Sequence, residues 1–553
     1  MILQKRYKHF NRYREVAHTL AKHGFGFLIR QLGLTEFLKH KILKSKEEEK
    51  ELSTGKRIRL VVEDLGTTFI KIGQILSTRA DLLPHDWTAE LSKLQDQVHP
   101  FSFPEVRKQV ENELGQTLEE LFEFIDAEPL AAASIGQVHR AGLKGGKEIV
   151  IKVQRPDIEE TIKTDLEILF DLARLLEKHT DWAKSYELRE AVMEFEKILM
   201  DELNYLIEGQ NIDVFRRNFS QDPKVYIPEV YWDYTTKKVL TMEYIKGVKL
   251  NETKRLTEMG LDVGEIAFNL SNSIFKQIVI DGIFHGDPHP GNIMVYPDGR
   301  IVLLDFGIIG VIDDDMKEKF GTLLIAQVSR NTEALMRAFL SLGIAPPAVN
   351  RRELRQDMER LQHKYYDLPL SKIKLGETMK EFMSLAFQYD IRMPGEFTLL
   401  AKTLVVLEGL VSRLAPHISL MEIAEPFGRE LIKRRISYAY LKKWVTKNVQ
   451  EYGEIFASLP RQVTDLLHIL ERGQFKAVLE HKQLEKFMSE MNHMINRLSF
   501  SILLSSLILA LALIIQRTGQ SILWKLPLAE IGFIAAGIMG FWLLISIIRS
   551  GRF

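Results

Sequence analysis

The stretch Phe284 to Gly307, FHGDPHPGNIMVYPDGRIVLLDFG, gathers groups whose types and spacing could do chemistry. Asp287 and Asn292 stand five residues apart, and Asp305 follows thirteen residues after Asn292 at the head of Asp-Phe-Gly. Phosphoryl transfer asks little covalent chemistry of a protein. It needs one carboxylate to take or orient the acceptor proton, and hard oxygen ligands that hold magnesium against the phosphates. Asp287 suits the first task, and Asn292 and Asp305 suit the second. His285 and His289, on either side of Asp287, raise zinc as a competing chemistry. No third zinc ligand is evident, and that reading leaves the run to Asp305 without a purpose. A polar turn without function is the plainest alternative.

The elements that must position these groups lie close by. Pro297-Asp298-Gly299 separates two apolar runs and predicts a β-hairpin that leads into Asp305. Upstream, Glu148 to Val153 (EIVIKV) follows the turn Gly145-Gly146 and predicts a strand. Lys152 lies in it between Ile151 and Val153. Turned inward, its ammonium is costly to bury without a partner; at a sheet edge it would face solvent. An inward lysine could hold the α and β phosphates of a nucleotide, oriented by a helix carboxylate. Glu202 and Glu208, in MDELNYLIEGQN, lie on an expected helix and are the candidates for that carboxylate. Together these features match the protein-kinase pattern. Ala131 to His139 (AAASIGQVH) stands where such a fold has its glycine-rich phosphate loop, although propensity alone reads the alanines as a helix start.

At 553 residues the chain predicts two to four domains, or one large domain with additions. Lys+Arg and Asp+Glu both number 74, so no overall charge points to nucleic acid. Cysteine is absent, which removes disulfides and thiol nucleophiles and fits a reducing compartment. Short strands are expected at KVYIPEVYWD and KKVLTMEYIKG, with helices dominating after about Asn251. The N-terminus carries Lys5, Arg6, Lys8, Arg12 and Arg14 with no early apolar run, so it is no secretory signal. It reads equally as a basic amphipathic helix on an anionic membrane or as a helix packed on the main body. Leu498 to Ile515 and Ile531 to Ile548 are uncharged and just long enough to cross a bilayer, which predicts a transmembrane hairpin. Arg497, Arg549 and Arg552 flank the body side, against Arg517 and Lys525 in the joining loop, so the main body is expected in the cytoplasm. Two buried helices of a soluble protein are the alternative.

On these residues the chain resembles the UbiB family (also called ABC1 or ADCK) of atypical kinase-like proteins linked to quinone biosynthesis, over roughly residues 55–430 plus the tail. Three features carry the resemblance. FIKIGQILSTRADLLP holds a Lys-x-Gly-Gln signature as Lys71, Gly73 and Gln74. PLAAASIGQVHRA holds an alanine-rich loop in place of the glycine-rich one, and MDELNYLIEGQN corresponds to a Glu-x-Asp signature with the glutamate that follows it. The chain departs from the pattern at Asn204, where Asp is usual, so Glu202 is left to carry that charge alone.

The resemblance implies an α+β, atypical protein-kinase-like two-lobed fold with a helical N-terminal extension over the active site and a C-terminal transmembrane helical hairpin. It divides the chain into a basic segment (1–54), the extension (55–125), an N-lobe (126–250), a C-lobe (251–430), a helical linker (431–497) and two transmembrane helices (498–548). It implies ATP and Mg2+ as cofactors. Asp287, Lys152 and Glu208 would be catalytic. Ala131, Ala132, Ala133, Ser134, Ile135, Gly136, Val138, Lys152 and Glu243 would contact nucleotide, and Asn292 and Asp305 the metal. Lys71 and Gln74, at i and i+3, share a helix face. Methyl groups in the alanine loop restrict the positive φ that glycine allows, leaving Gly136 as its one free bend.

The implied activity is a membrane-anchored ATPase or small-molecule kinase that supports isoprenoid quinone biosynthesis or lipid handling at the cell inner or plasma membrane. Its expected partners are the bilayer, quinone precursors, quinone-biosynthesis enzymes and a second copy of the chain, but not nucleic acid. From Gly307 the chain runs GIIGVIDDDMKEKF straight into a helix with Asp313 as N-cap, and no Ala-Pro-Glu segment follows. That leaves little room for a peptide-docking platform. Two other readings stand beside this one. A phosphotransferase of the aminoglycoside or choline kinase type would share His-Gly-Asp and the Asn five residues on, but not the Lys71 extension or the tail. A nucleotide-gated membrane adaptor without phosphotransfer sits poorly with intact Lys152, Asp287, Asn292 and Asp305.

Overall fold

A computed structural model describes residues 2–436, except 27–28, 30–51, 80, 95–98, 181–187 and a few isolated positions between 330 and 371, together with scattered positions from 491 to 513 and residue 538. The chain forms two compact units, residues 1–442 and 443–553. In the second, the described positions are helical, and the side chains of Leu498, Ile502, Leu503 and Leu509 are exposed. Among the described residues no helix is long and apolar enough to cross a membrane. The expected span 531–548, save residue 538, and most of the 431–497 linker lie outside the described residues, whereas 498–515 is described at scattered helical positions.

The first unit begins with helices α1 (Ile2–Lys22), α2 (Thr54–Leu65), α3 (Thr67–Thr78) and α4 (His85–Leu91). Val16 and Ala17 of α1, Val61 and Leu65 of α2 and Phe69 of α3 share one apolar core with Ile168 and Leu172 further along the chain. The Arg12 guanidinium reinforces it, reaching the Asp165 carboxylate at 2.7 and 3.1 Å and the Leu65 carbonyl at 2.7 Å. The described part of the basic N-terminal helix is therefore packed on the body. Gly73 belongs to packing too: a Cβ there would meet Leu94 at 2.5 Å and Val62 at 3.0 Å, so its absence lets α3 close on α2.

Next come α5 (Phe103–Leu114), α6 (Leu118–Leu121), β1 (Phe122–Ile125), β2 (Ala131–Ala132), β3 (Gly136–Leu143) and β4 (Glu148–Gln154). Helices α7 (Ile158–His179), α8 (Leu188–Glu202) and α9 (Tyr205–Asn218) follow, then β5 (Val225–Tyr226), β6 (Val239–Glu243) and β7 (Val248–Lys249). Strands β1-β3-β4-β6 form an antiparallel sheet with β2 added to β3. Strand geometry sends successive side chains to opposite faces, and this sorts EIVIKV. Ile149, Ile151 and Val153 pack with Val106, Val110 and Leu118 of α5 and α6. Val150, Lys152 and Gln154 take the other face. The N-lobe core thus draws in residues 103–125, ahead of the boundary expected at 126.

The alanine stretch does not start a helix. Ala131 pairs with Val138 and Ala132 with Gln137, and the Ala133 N–H donates to the Gly136 carbonyl at 2.8 Å, closing a hairpin tip. Cross-strand pairing, invisible to local propensity, decides the outcome. Gly136 is also not a positive-φ bend. Its need is close approach: a Cβ would sit 2.6 Å from the Val153 carbonyl oxygen and against the Tyr205 hydroxyl.

The C-lobe holds α10 (Thr253–Glu258), α11 (Val263–Lys276), β8 (Ile283–His285), β9 (Ile293–Val295), β10 (Ile301–Leu303) and β11 (Ile309–Val311), then α12 (Asp314–Val328), α13 (Thr332–Leu342), α14 (Arg351–Tyr365), α15 (Leu375–Gln388), α16 (Gly395–Leu414) and α17 (Leu420–Ile436). The expected hairpin is β9–β10, turning at Gly299 with φ +85°, and β5 and β7 flank it. Asp313 caps α12, its carboxylate accepting from the Met316 N–H at 2.7 Å. Between Gly307 and that cap, β11 pairs antiparallel with β8.

Gly136→Ala is expected to cost about 1–3 kcal/mol of stability by overpacking against backbone, read as a lowered midpoint in thermal unfolding. An unchanged midpoint would contradict the packing role.

Candidate functional site

Register in the N-lobe sheet puts Lys152 opposite Val138 on one side and Leu240 on the other, all on the face toward α9. Its ammonium donates to both carboxylate oxygens of Glu208, at 2.9 and 2.8 Å. Asn204 makes this possible: as N-cap of α9 its side chain accepts from the Leu206 N–H at 3.3 Å, and Glu208 follows in the first turn. The turn before α9 is tied to β4 by Gln154, whose amide donates to the Leu203 carbonyl at 2.9 Å. Tyr205 lies beneath, its ring centroid 5.2 Å from Nζ of Lys152.

Asp305 supplies the third charge. Burial pushes its carboxyl up, but Lys152, the Gly307 N–H at 2.9 Å and Lys71 more than reverse this and hold its pKa down at about 2. For Lys152, burial pulls the ammonium down, and Asp305 and Glu208 raise it well above the usual value. Both groups stay charged at neutral pH. Phe306 fixes the Asp-Phe-Gly turn, packed between Phe215 at 4.9 Å and His285 at 5.4 Å, while Asn211 of α9 donates to its carbonyl at 3.0 Å.

The Asp287 carboxylate is half-exposed. The backbone on each side is held. The Asp287 N–H donates to Nδ1 of His285 at 3.1 Å, and Asn292 donates its amide N–H to the Asp287 carbonyl at 3.3 Å. His285 is buried, which lowers its pKa and keeps it neutral. With Nδ1 accepting, its proton sits on Nε2. A π-helical turn, Gln277–Asp281, brings Gln277 to accept from the His285 N–H at 3.0 Å; such turns often occur at functional sites. His289 turns its Nδ1 back to the Gly291 N–H at 3.2 Å. Both histidines therefore serve the loop's own geometry.

The N-terminal extension reaches this cleft through α3, which touches α7, α8 and α16. Lys71 is 9% exposed and its ammonium lies 2.5 Å from Glu202 at the end of α8. Gln74, one turn on, is half-buried, and its carbonyl accepts from the Ser77 hydroxyl. After α3, buried Arg79 binds Asp81 at 3.0 and 3.1 Å and Glu194 of α8 at 3.0 Å, and Asp81 accepts from the Met393 N–H at 3.3 Å.

The other expected nucleotide contacts are less uniform. Ala131 is exposed and Ala132, Ala133 and Val138 half-buried, whereas Ser134 and Ile135 are buried. Ile135 belongs to the same core as Ile72 and Tyr205, so the tip is pinned into the body. The Glu243 carboxylate is occupied, accepting from the Tyr226 hydroxyl at 2.7 Å and the Glu229 N–H at 3.3 Å. Reasoning from sequence missed Arg79, Tyr205 and Lys402, whose ammonium lies 3.7 Å from Asp287. Arg79 stands inside the quoted STRADLLP run and was within reach; nothing in the spacing marks Lys402.

Three family models match the chain: an ABC1 atypical kinase-like domain over residues 93–339, a UbiB helical domain over 358–419 and an ABC1/UbiB kinase-like C-terminal domain over 482–549. An uncharacterized protein from the hydrogenase 1 5′ region of Clostridium pasteurianum is 34% identical over 98% of this chain and 99% of its own length. A probable protein kinase UbiB of Pseudomonas aeruginosa is 35% identical over 76% of this chain and 79% of its own length. A Mycobacterium tuberculosis protein, solved in complex with erythromycin, aligns at 23% identity and a TM-score of 0.43 over 65% of this chain and 94% of that one.

Removing one partner of a buried ion pair strands the other charge. Lys152→Met should therefore cost about 3–5 kcal/mol in denaturant unfolding, and Lys152→Met with Glu208→Leu should recover much of that loss. Equal losses in the single and double variants would contradict the pairing.

Proposed function

This chain belongs to the UbiB, or ABC1, family of atypical kinase-like proteins, and we propose that it is a membrane-anchored, Mg2+- and ATP-dependent atypical kinase or ATPase that supports isoprenoid quinone biosynthesis or lipid handling. The observation that carries the reading is Lys152, bonded to Glu208 and beside ionised Asp305, with Asn292 bonded to the residue before Asp305 and to the Asp287 carbonyl. Lys152 would hold the α and β phosphates. The donor set fits magnesium, a hard cation that needs only one or two protein oxygens beside the phosphates. Asp305 offers an ionised carboxylate, and Asn292 spends its N–H on the Asp287 carbonyl, which leaves its amide oxygen for the metal. Bound there, magnesium would neutralise charge on the β and γ phosphates. Asp287 would take or orient the acceptor proton.

The surroundings support a small acceptor or water over a peptide. Helix α3 crosses near the cleft with Lys71 on Glu202, and the segment after Asp-Phe-Gly is used up by β11 and the α12 cap. The buried tip at Ser134 and Ile135 supports a stiff phosphate contact made by backbone, its approach narrowed by the Ala132 and Ala133 methyls. The membrane part of the proposal rests on the two uncharged spans at 498–515 and 531–548, with the body on the cytoplasmic side of the inner or plasma membrane. Its partners would be the bilayer, quinone precursors and the enzymes that process them.

In the full chain, Asp305→Asn is expected to abolish Mg2+-ATP hydrolysis; a variant that binds and hydrolyses ATP like the parent would sink the proposal. Ala132→Gly and Ala133→Gly should change ADP and ATP affinities, measured by equilibrium binding, more than they change the thermal midpoint. Unaltered affinities would reduce the hairpin to a structural turn.

A further inference from the structure

We propose that Lys402 is a catalytic residue, its ammonium delivered from α16 to the phosphoryl group in transfer above Asp287. The inference rests on the kinase or ATPase reading and adds to it a group that the loop itself does not supply. In α16, Leu399, Lys402 and Thr403 lie at i, i+3 and i+4 and share one face. That face is seated on the residue just before Asp287. The Thr403 hydroxyl, fully buried, donates to the Gly286 carbonyl at 3.1 Å, and a Cβ on Gly286 would meet Leu399 at 3.0 Å. With the helix fixed there, Nζ of Lys402 stands 3.7 Å from the Asp287 carboxylate, the two side chains 23% and 36% exposed toward solvent.

Three comparisons within the cleft single Lys402 out. Lys152 is hydrogen-bonded to both oxygens of Glu208, and Lys71 sits 2.5 Å from Glu202, so both ammonium groups are closely neutralised. Lys402 holds its carboxylate beyond hydrogen-bond length, which leaves its donors for a third group between them. His289, within the loop itself, faces its own turn at Gly291. In the transfer step the bond from the γ-phosphorus to the bridging oxygen breaks and its electron pair leaves on ADP. A bond from the acceptor oxygen to phosphorus forms, and the acceptor proton passes to Asp287. Charge spreads over the three equatorial oxygens as this happens, and a fixed ammonium at that place is worth most in the transition state. Lys402 neither gains nor loses a proton.

The experiment compares the full-length parent, Lys402→Met, Lys402→Arg and Asp287→Asn. It measures kcat and KM for Mg2+-ATP, affinity for Mg2+-ADP with and without aluminium fluoride as a mimic of the phosphoryl group in transfer, and the thermal midpoint. Lys402→Met is expected to lower kcat by about 10²–10³-fold, as for loss of one transition-state donor, with ADP affinity and midpoint kept. It should also lose the extra affinity that aluminium fluoride confers on ADP, and Lys402→Arg should keep part of it. Parental kcat and aluminium fluoride binding in Lys402→Met would overturn this inference alone. Equal falls in ADP affinity and midpoint would make Lys402 structural and overturn it likewise. A parent without hydrolysis or phosphotransfer would bring down the kinase reading and this inference with it.

Discussion

The burial of one ammonium, Lys152, beside Asp305 is the constraint from which most of the first unit's architecture follows. An unpaired charge there would be prohibitively costly, so Glu208 must arrive at hydrogen-bond distance from a different element. That requires β4 to present alternate residues to α9, α9 to start at a capped Asn204, and the preceding turn to be tied down by Gln154. It also requires Tyr205, which Gly136 lets approach closely, as an apolar floor. Pairs of this kind add little net stability compared with apolar packing. What the arrangement secures is a lysine of fixed position and charge, next to a carboxylate that stays ionised.

A second ion pair extends the same logic to the N-terminal extension. Lys71 meets Glu202, and the buried Arg79 cluster joins the end of α3 to α8 and to the start of α16. Helix α3 is therefore fastened to both lobes by charge and packed on α2 through the missing side chain of Gly73. Asn204 accounts for the departure from the family pattern: it spends its oxygen on a cap, and Glu202 meets Lys71.

What was legible in the sequence was local. The β9–β10 hairpin announced itself through turn chemistry at Gly299, the α12 start through Asp313, and the strand that carries Lys152 through the β-branched run EIVIKV. The Asp287, Asn292 and Asp305 set was visible because loop and hairpin are contiguous. What stayed hidden was pairing across distance. The alanines join a sheet because β3 is there to receive them, and β1 and the α5–α6 layer count as N-lobe only once the sheet exists. Gly136 looked like a bend and is a point of close approach. The carboxylate of Glu243 accepts from Tyr226, a partner seventeen residues away. Lys402 is brought to Asp287 by the packing of α16 on Gly286, a contact that no spacing encodes.

The central claim is that Lys152 and the Asp305 side of the cleft form a magnesium-dependent nucleotide site. Equilibrium binding of ATP to the full chain, with and without Mg2+, in the parent and in Lys152→Met, tests it most directly. The account predicts binding by the parent that strengthens with Mg2+ and is lost in Lys152→Met. Binding that ignores magnesium, or that survives unchanged in Lys152→Met, would contradict it.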